Sequence, residues 1–354
     1  MDSAGLDAGY EVLSEYAHGF MVSQVLFAAC DLGIFDLLAE TPEPLDAATV
    51  AARLGTSARG TGPLLDTCVS LKLLTVRTRA GVAVYSNGPL ASTYLVSSSP
   101  YGQRHMVQYL GSTTYRCWTH LGDAVREGRN QYHRAFGVAA DQLFSAIYRT
   151  SAERVCFLRG LQEVWAVHGR RLLTAFDLTP FRTVCDLGGG SGALARLCVS
   201  LYPACTATVL DIPEVVDTAR MEFSRGETEE EEEEEDDRVS FRAGDFFRDP
   251  LPEADLFLLA RVLHDWTDAR CSQLLAGVFR SCRAGGGVLV IEGVLDADGR
   301  GPLTTQLFSL NMLVQTEGQE RTLAQYTQLL EAAGFRRVAH RHPGGPYHAV
   351  LARK

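Results

Sequence analysis

Apolar residues recur at Val12, Leu13, Tyr16, Phe20, Met21, Val25, Leu26, Ala29, Leu32, Phe35 and Leu38. Steps of three and four predict helix from Tyr10 to Leu38 with a broad buried face. The stretch LDAATVAARLGTSARGTGPLLDTCVSLKLL reads as two short helices around Gly55-Thr56-Ser57, the second running from Ser57 to Leu74. TVRTRAGVAVYSNG then reads as a hairpin turning at Gly81. Two helices and a two-stranded wing form a winged-helix pattern. From about 104 to 176 helical spacing returns, loaded with aromatics such as Tyr115, Trp118, Tyr132, Tyr148, Phe157 and Trp165. Most of these belong in a core, and a minority could line a pocket for a flat aromatic ligand.

After Arg182 the texture alternates between strands and helices. Strands are predicted at Thr183–Leu187, Thr206–Asp211, Val239–Ala243, Ala254–Leu259, Gly287–Glu292, Phe335–His340 and His348–Ala352. Helices are predicted between them at Ala193–Tyr202, Glu214–Phe223, Asp268–Ser281, Leu303–Val314 and Leu323–Ala333. Such alternation predicts an α/β unit with a doubly wound parallel sheet. Only a short turn containing GGPY separates the last two strands, too little for a crossover helix, so the final strand runs antiparallel.

Composition narrows the class. With 354 residues, 46% of them hydrophobic and 21% charged, the chain is long enough for two domains with cores and is not disordered in bulk. Its longest apolar runs fall far short of the roughly 20 residues of a membrane span. The acidic opening has no basic segment followed by an apolar one, so no secretory leader is predicted. Glu227, Glu229 to Glu235, Asp236 and Asp237 account for the whole net charge of −10. The acidity is therefore one local run, expected to be a solvated loop whose removal leaves chemistry untouched. A DNA-reading helix presents several cations, whereas Ser57–Leu74 offers Arg59 and Lys72 against Asp66; no nucleic-acid partner is expected. Nine scattered cysteines without a CxxC pair predict reduced thiols, a cytoplasmic location and no zinc site.

The strongest chemical signal is Val184-Cys185-Asp186-Leu187-Gly188-Gly189-Gly190-Ser191-Gly192-Ala193, a strand entering a glycine-rich turn before a helix. Alone it fits a dinucleotide site or the first motif of S-adenosylmethionine-dependent methyltransferases. Asp211 ends the next strand, where a carboxylate can accept both ribose hydroxyls. Asp245, in Ala243-Gly244-Asp245-Phe246-Phe247, ends the third strand and could accept from an adenine amino group while Phe246 covers the ring. That second acid, together with Asp186 two residues before the first glycine and the antiparallel final strand, favours methyl transfer over hydride transfer. The fourth strand runs into LARVLHDW, which points His264 into the crevice. A phenol with pKa about 10 is protonated at neutral pH, and a neutral imidazole can take its proton as the oxygen attacks.

LARVLHDW, DLGGGSGAL, GDFFRDPLPEADL and GQERT resemble the small-molecule O-methyltransferases of the plant phenolic type. EYAHGFMVSQVLFAACDLGIFDLLAE, TTYRCWTHLGDAVREGRNQY and SLNMLVQTEGQERT resemble its hydroxyindole-methylating branch, and the likeness covers nearly the whole chain. The resemblance implies a winged-helix dimerisation domain over 1–120, a helical linker over 121–176 that contributes to the pocket, and a Rossmann-like methyltransferase domain over 177–354. It implies a homodimer and transfer of a methyl group from S-adenosylmethionine, without metal, to the 5-hydroxyl of N-acetylserotonin. Another hydroxyindole or phenol is the alternative acceptor. By motif, His264 matches the general base, and Glu292 and Glu320 match the acids flanking it. Tyr148, Trp165, Gly188, Asp211, Gly244, Asp245, Phe246 and Arg261 match cofactor-contacting positions. Asn311 and Gln315, one helical turn apart, match positions that hold the polar arm of the substrate.

Overall fold

The computed structural model describes residues 3–138, 147–223 and 237–354. The chain divides into two units, Met1–Thr113 and Thr114–Lys354. The acidic run lies outside the described residues apart from Asp237.

In the first unit the single helix predicted through Leu38 is two, Ser3–Asp31 and Ile34–Glu40. Gly33, at φ 75, breaks it in the left-handed region that favours glycine. Asp46 caps helix Ala47–Leu54 by accepting from the Thr49 N–H, and Ser57 caps Ala58–Ser70 by accepting from the Gly60 N–H. The second of these helices stops at Ser70, short of the predicted Leu74. Lys72 takes φ 60, which reverses the chain into β2. Strands β1 (Leu45–Asp46), β2 (Leu74–Arg79) and β3 (Val82–Asn87) pair in the order β1-β3-β2, completing the wing. Ala29, Ile34, Phe35, Val50, Leu65, Cys68 and Leu74 form the core. The expected burial of the first helix holds only at its end. Tyr10, Leu13, Tyr16, Phe20 and Met21 are exposed, Tyr16 at 77%, because nothing in their own unit reaches that face. Among the described residues no single helix is long and apolar enough to cross a membrane; the first two meet both conditions only together, and they bend by 49°.

The second unit opens with short helical pieces, among them Tyr115–Trp118 and Tyr132–Phe136, followed by the long helix Ser151–Leu173. Its main strands are β4 (Thr183–Leu187), β5 (Thr206–Asp211), β6 (Val239–Ala243), β7 (Ala254–Ala260) and β8 (Cys282–Glu292). After the short β9 (Val294–Leu295) and β10 (Arg321–Thr322) come β11 (Arg336–Arg341) and β12 (His348–Arg353). Seven strands form one sheet in the order β11-β12-β8-β7-β4-β5-β6. β6, β5, β4, β7 and β8 are parallel, while β12 runs antiparallel to both neighbours. Continuous apolar runs such as LFLL in β7 and VLVI in β8 are buried, as a sheet covered on both faces requires. Helix Ser151–Leu173 packs with Ala193–Leu201 and Pro213–Glu222, and Asp268–Ser281 packs with Leu323–Ala332. Chain order reverses where β4 lies between β5 and β7, so the ligand crevice of such a sheet opens beyond the C-terminal end of β4. All nine cysteines are free, and eight are buried.

Candidate active site

β4 ends in the glycine turn. Gly188, Gly190 and Gly192 all take positive φ, between 57° and 79°. The Gly190 N–H donates to Asp211 Oδ2 at 2.9 Å and the Ile212 N–H to Asp211 Oδ1 at 2.8 Å. The acid at the end of β5 thus holds the turn and keeps lone pairs for a further donor on each oxygen. Burial pushes its carboxyl up to about 6, outweighing those two bonds. Asp186 lies beneath, where a Cβ on Gly189 would come 2.6 Å from its Oδ2. That oxygen is buried with no hydrogen-bond partner among the described residues, and burial followed by the Asp211 charge pushes the carboxyl up to about 7.

Other predicted contacts gather at the same edge. The Gly244 N–H donates to the Asp211 carbonyl at 2.9 Å, which sets Asp245 at the end of β6. Asp245 Oδ1 accepts from the Phe247 N–H at 2.8 Å. The Phe246 ring and Val262 stand over Gly188, 3.8 and 3.2 Å from where its Cβ would be. Leu158 closes on Gly190 in the same way, so the long helix covers the turn. Trp165 on that helix faces Tyr347 at 5.7 Å, and Tyr347 lies under the Arg261 guanidinium at 5.8 Å. Arg261 holds φ 57, a strained backbone at the mouth of the crevice. Tyr148 packs on Phe157 at 5.9 Å.

β7 runs into the one-turn helix Leu263–Asp265, which carries His264. Three sequence-distant groups clamp this turn. Glu292 Oε1 accepts from the backbone N–H of Val262, Leu263 and His264 at 3.0, 2.8 and 3.4 Å. Arg321, 1% exposed, donates to the carbonyls of Leu263 and Trp266 at 2.8 and 2.7 Å and pairs with Asp268. Hydrogen bonds from a charged donor contribute about 1.5–3 kcal/mol each. Gly318 presses its backbone against the His264 carbonyl and the Trp266 N–H, leaving no room for a Cβ.

The His264 ring is buried, with Nδ1 2.8 Å from Glu320 Oε1 and 3.4 Å from Glu292 Oε2. A carboxylate only accepts, so Nδ1 carries the hydrogen, and Nε2 is the nitrogen that has a lone pair when the ring is neutral. Nε2 lies 3.7 Å from Asp265 Oδ1. Burial alone would lower the imidazole; the charges of Glu292, Glu320 and Asp265 outweigh it and raise His264 to about 9. Burial also holds Glu292 above the ordinary carboxylate range against the opposing pull of His264. The ligand atoms of His264, Glu292 and Glu320 lie within 4.8 Å of one another, close enough for one metal ion. Such an ion would have to displace the hydrogen shared by Nδ1 and Glu320.

Asn311 and Gln315 bond to each other rather than to the imidazole cluster. Gln315 Nε2 donates to Asn311 Oδ1 at 2.6 Å, the Trp118 indole N–H donates to the same oxygen at 2.8 Å, and the Tyr132 hydroxyl donates to Gln315 Oε1 at 3.0 Å. Sequence reasoning missed Asp265, Arg321 and Tyr347 as members of the site, took Asp186 only as a motif residue, and left Trp118 and Tyr132 among aromatics of which a minority could line a pocket. Asp265 and Arg321 at least sat inside quoted motifs.

An O-methyltransferase domain model matches residues 118–336 and an O-methyltransferase dimerisation domain model matches 14–97. Acetylserotonin O-methyltransferase of Bos taurus is 64% identical over 346 residues, 98% of both chains. That of Homo sapiens is 61% identical over 348 residues, covering 98% of this chain and 99% of the relative. The crystal structure of human N-acetylserotonin methyltransferase in complex with SAM superposes with a TM-score of 0.93 at 60% identity, covering 100% of this chain and 98% of that one. With the sheet order, the glycine turn and the His264 clamp, these matches place the chain in the O-methyltransferase family, in the branch of the acetylserotonin O-methyltransferases.

Proposed function

We propose that this protein transfers a methyl group from S-adenosylmethionine to the 5-hydroxyl of N-acetylserotonin, giving melatonin, with His264 as general base. The observation that carries the reading is the buried imidazole whose Nδ1 is committed to Glu320, so that proton exchange falls to Nε2 at the C-terminal edge of the sheet. The relatives support the acceptor.

The fit of the donor rests on the glycine turn and on unspent acceptors. Gly188 and Asp211, with Gly244, Asp245, Phe246, Arg261, Trp165 and Tyr148, would hold it. When bound, it supplies an electrophilic methyl carbon on a sulfonium. Asp211 offers acceptors to ribose hydroxyls, Asp245 one to the adenine amino group, and Phe246 a face to its ring. Asn311 and Gln315 hold the acyl amide of the acceptor. Nε2 of His264 takes the hydroxyl proton as the oxygen attacks, and Glu320 and Glu292 stabilise the imidazolium that forms. Their charge is fixed before reaction, so no reorganisation is needed as it develops. The rest of the acceleration comes from holding oxygen, carbon and sulfur collinear. No metal takes part in this reading, since an ion among these three side chains would have to displace the hydrogen that Nδ1 shares with Glu320.

The first unit is a homodimerisation domain whose covered face is the apolar side of helix Ser3–Asp31. Neither nucleic acid nor membrane is a partner, and free thiols support a cytoplasmic location. The test is a methyl-transfer assay on N-acetylserotonin, serotonin and simple catechols, with and without EDTA. Preference for N-acetylserotonin, unaffected by chelation, is expected. Preference for a catechol, or loss of activity in EDTA, overturns the reading.

A further inference from the structure

We propose that Trp118 is a positioning residue for acceptor selectivity: its indole N–H locks the Asn311 side chain so that only an amide N–H faces the acceptor, which selects an acyl oxygen over an ammonium. The inference rests on the reading above that Asn311 meets the arm of the acceptor.

An indole N–H is a donor and nothing else. Whatever atom sits 2.8 Å from Trp118 Nε1 must therefore be the amide oxygen, and it is Asn311 Oδ1. Gln315 Nε2 donates to that oxygen as well, at 2.6 Å. Oδ1 thus accepts two hydrogens and turns toward the protein. Asn311 Nδ2, a pure donor, makes no hydrogen bond among the described residues and is the face left for a ligand. The lock propagates. With its NH₂ turned to Asn311, Gln315 has its oxygen turned to Tyr132, whose fully buried hydroxyl donates to it at 3.0 Å. One donor-only group thus fixes the direction of every hydrogen bond from Trp118 through Asn311 and Gln315 to Tyr132. An N-acyl arm offers Nδ2 a carbonyl oxygen. A free ammonium offers only N–H groups against N–H groups and leaves both unsatisfied. Sites built on such complementarity reject the mismatched ligand strongly.

The test compares kcat/KM for N-acetylserotonin and serotonin in the wild-type dimer and in Trp118→Phe, which keeps an aromatic plate and deletes the N–H. The freed Asn311 amide can then turn its oxygen to the acceptor, so the selectivity ratio is expected to fall about tenfold, the value of one hydrogen bond. Donor affinity, measured by calorimetry, stays unchanged. Asn311→Asp, which presents only acceptors, lowers the ratio further and provides the same readout should Trp118→Phe fail to fold. If both substrates lose rate equally in these variants, Trp118 is merely structural and the inference is overturned. If the wild type shows no preference for the acylated substrate, the parent reading of the acceptor fails, and this inference falls with it.

Discussion

His264 shows how one residue can be legible in kind but not in state. LARVLHDW marks it as a base at a strand end, yet the neutral imidazole expected from sequence is not what the neighbours enforce. Three carboxylates raise it to about 9, so at neutral pH both ring nitrogens of the donor-free enzyme carry hydrogen. A base must be deprotonated to act, and a raised pKa moves its active limb toward alkali. kcat/KM measured at subsaturating donor should climb about tenfold per pH unit from pH 7 and level off near pH 9. Glu320→Gln removes one raising charge, so the limb should move to lower pH while the plateau drops about 10²-fold. A limb that stays in place would remove Glu320 from the electrostatics of the base. Glu292 and Glu320 were reached through family resemblance; nothing in their local sequence shows that they converge. Trp118 was less accessible still, because its partner lies 193 residues downstream and an isolated Trp in a helical stretch reads as core.

Elements were the most legible scale. Strands β4, β5 and β6 fall on their predicted bounds because apolar runs closed by Gly and Asp leave little freedom. The overrun of helix Ala58–Ser70 has a simple cause: Leu71, Leu73 and Leu74 continue the apolar pattern, and only the left-handed φ of Lys72 ends it. Turns built from distant pieces escape periodicity altogether. Gly318 illustrates this, for its need to be glycine comes from the backbone of His264–Trp266 pressed against it. Gly318→Ala should push that turn aside, and a misplacement of about 1 Å costs on the order of 10²-fold in turnover. The expected result is a comparable fall in kcat with donor affinity retained by calorimetry. An unaltered kcat would mean that the turn tolerates movement.

For the whole molecule, the apolar stripe of helix Ser3–Asp31 predicts a broad buried face, and within the chain only its C-terminal end is covered. Periodicity shows that a face is apolar, not what covers it. Tyr10, Leu13, Tyr16 and Phe20 stand exposed, and each apolar side chain buried stabilises an assembly by about 1.5–3 kcal/mol. Leu13→Asp with Phe20→Asp should therefore convert a dimer to monomer in sedimentation velocity, with the circular dichroism of the second unit retained. A double variant that still sediments as a dimer would place the interface elsewhere. The carboxylate of Glu292 has a wider consequence. One oxygen scaffolds the reactive turn while the other faces its imidazole, so architecture and reactivity are inherited together and neither drifts alone. Helix Leu303–Gln315 carries a polar pair of its own, Asn311 and Gln315 at 2.6 Å, on a different element from the imidazole. Substitutions on that helix should therefore shift acceptor preference without moving the pH limb set at His264.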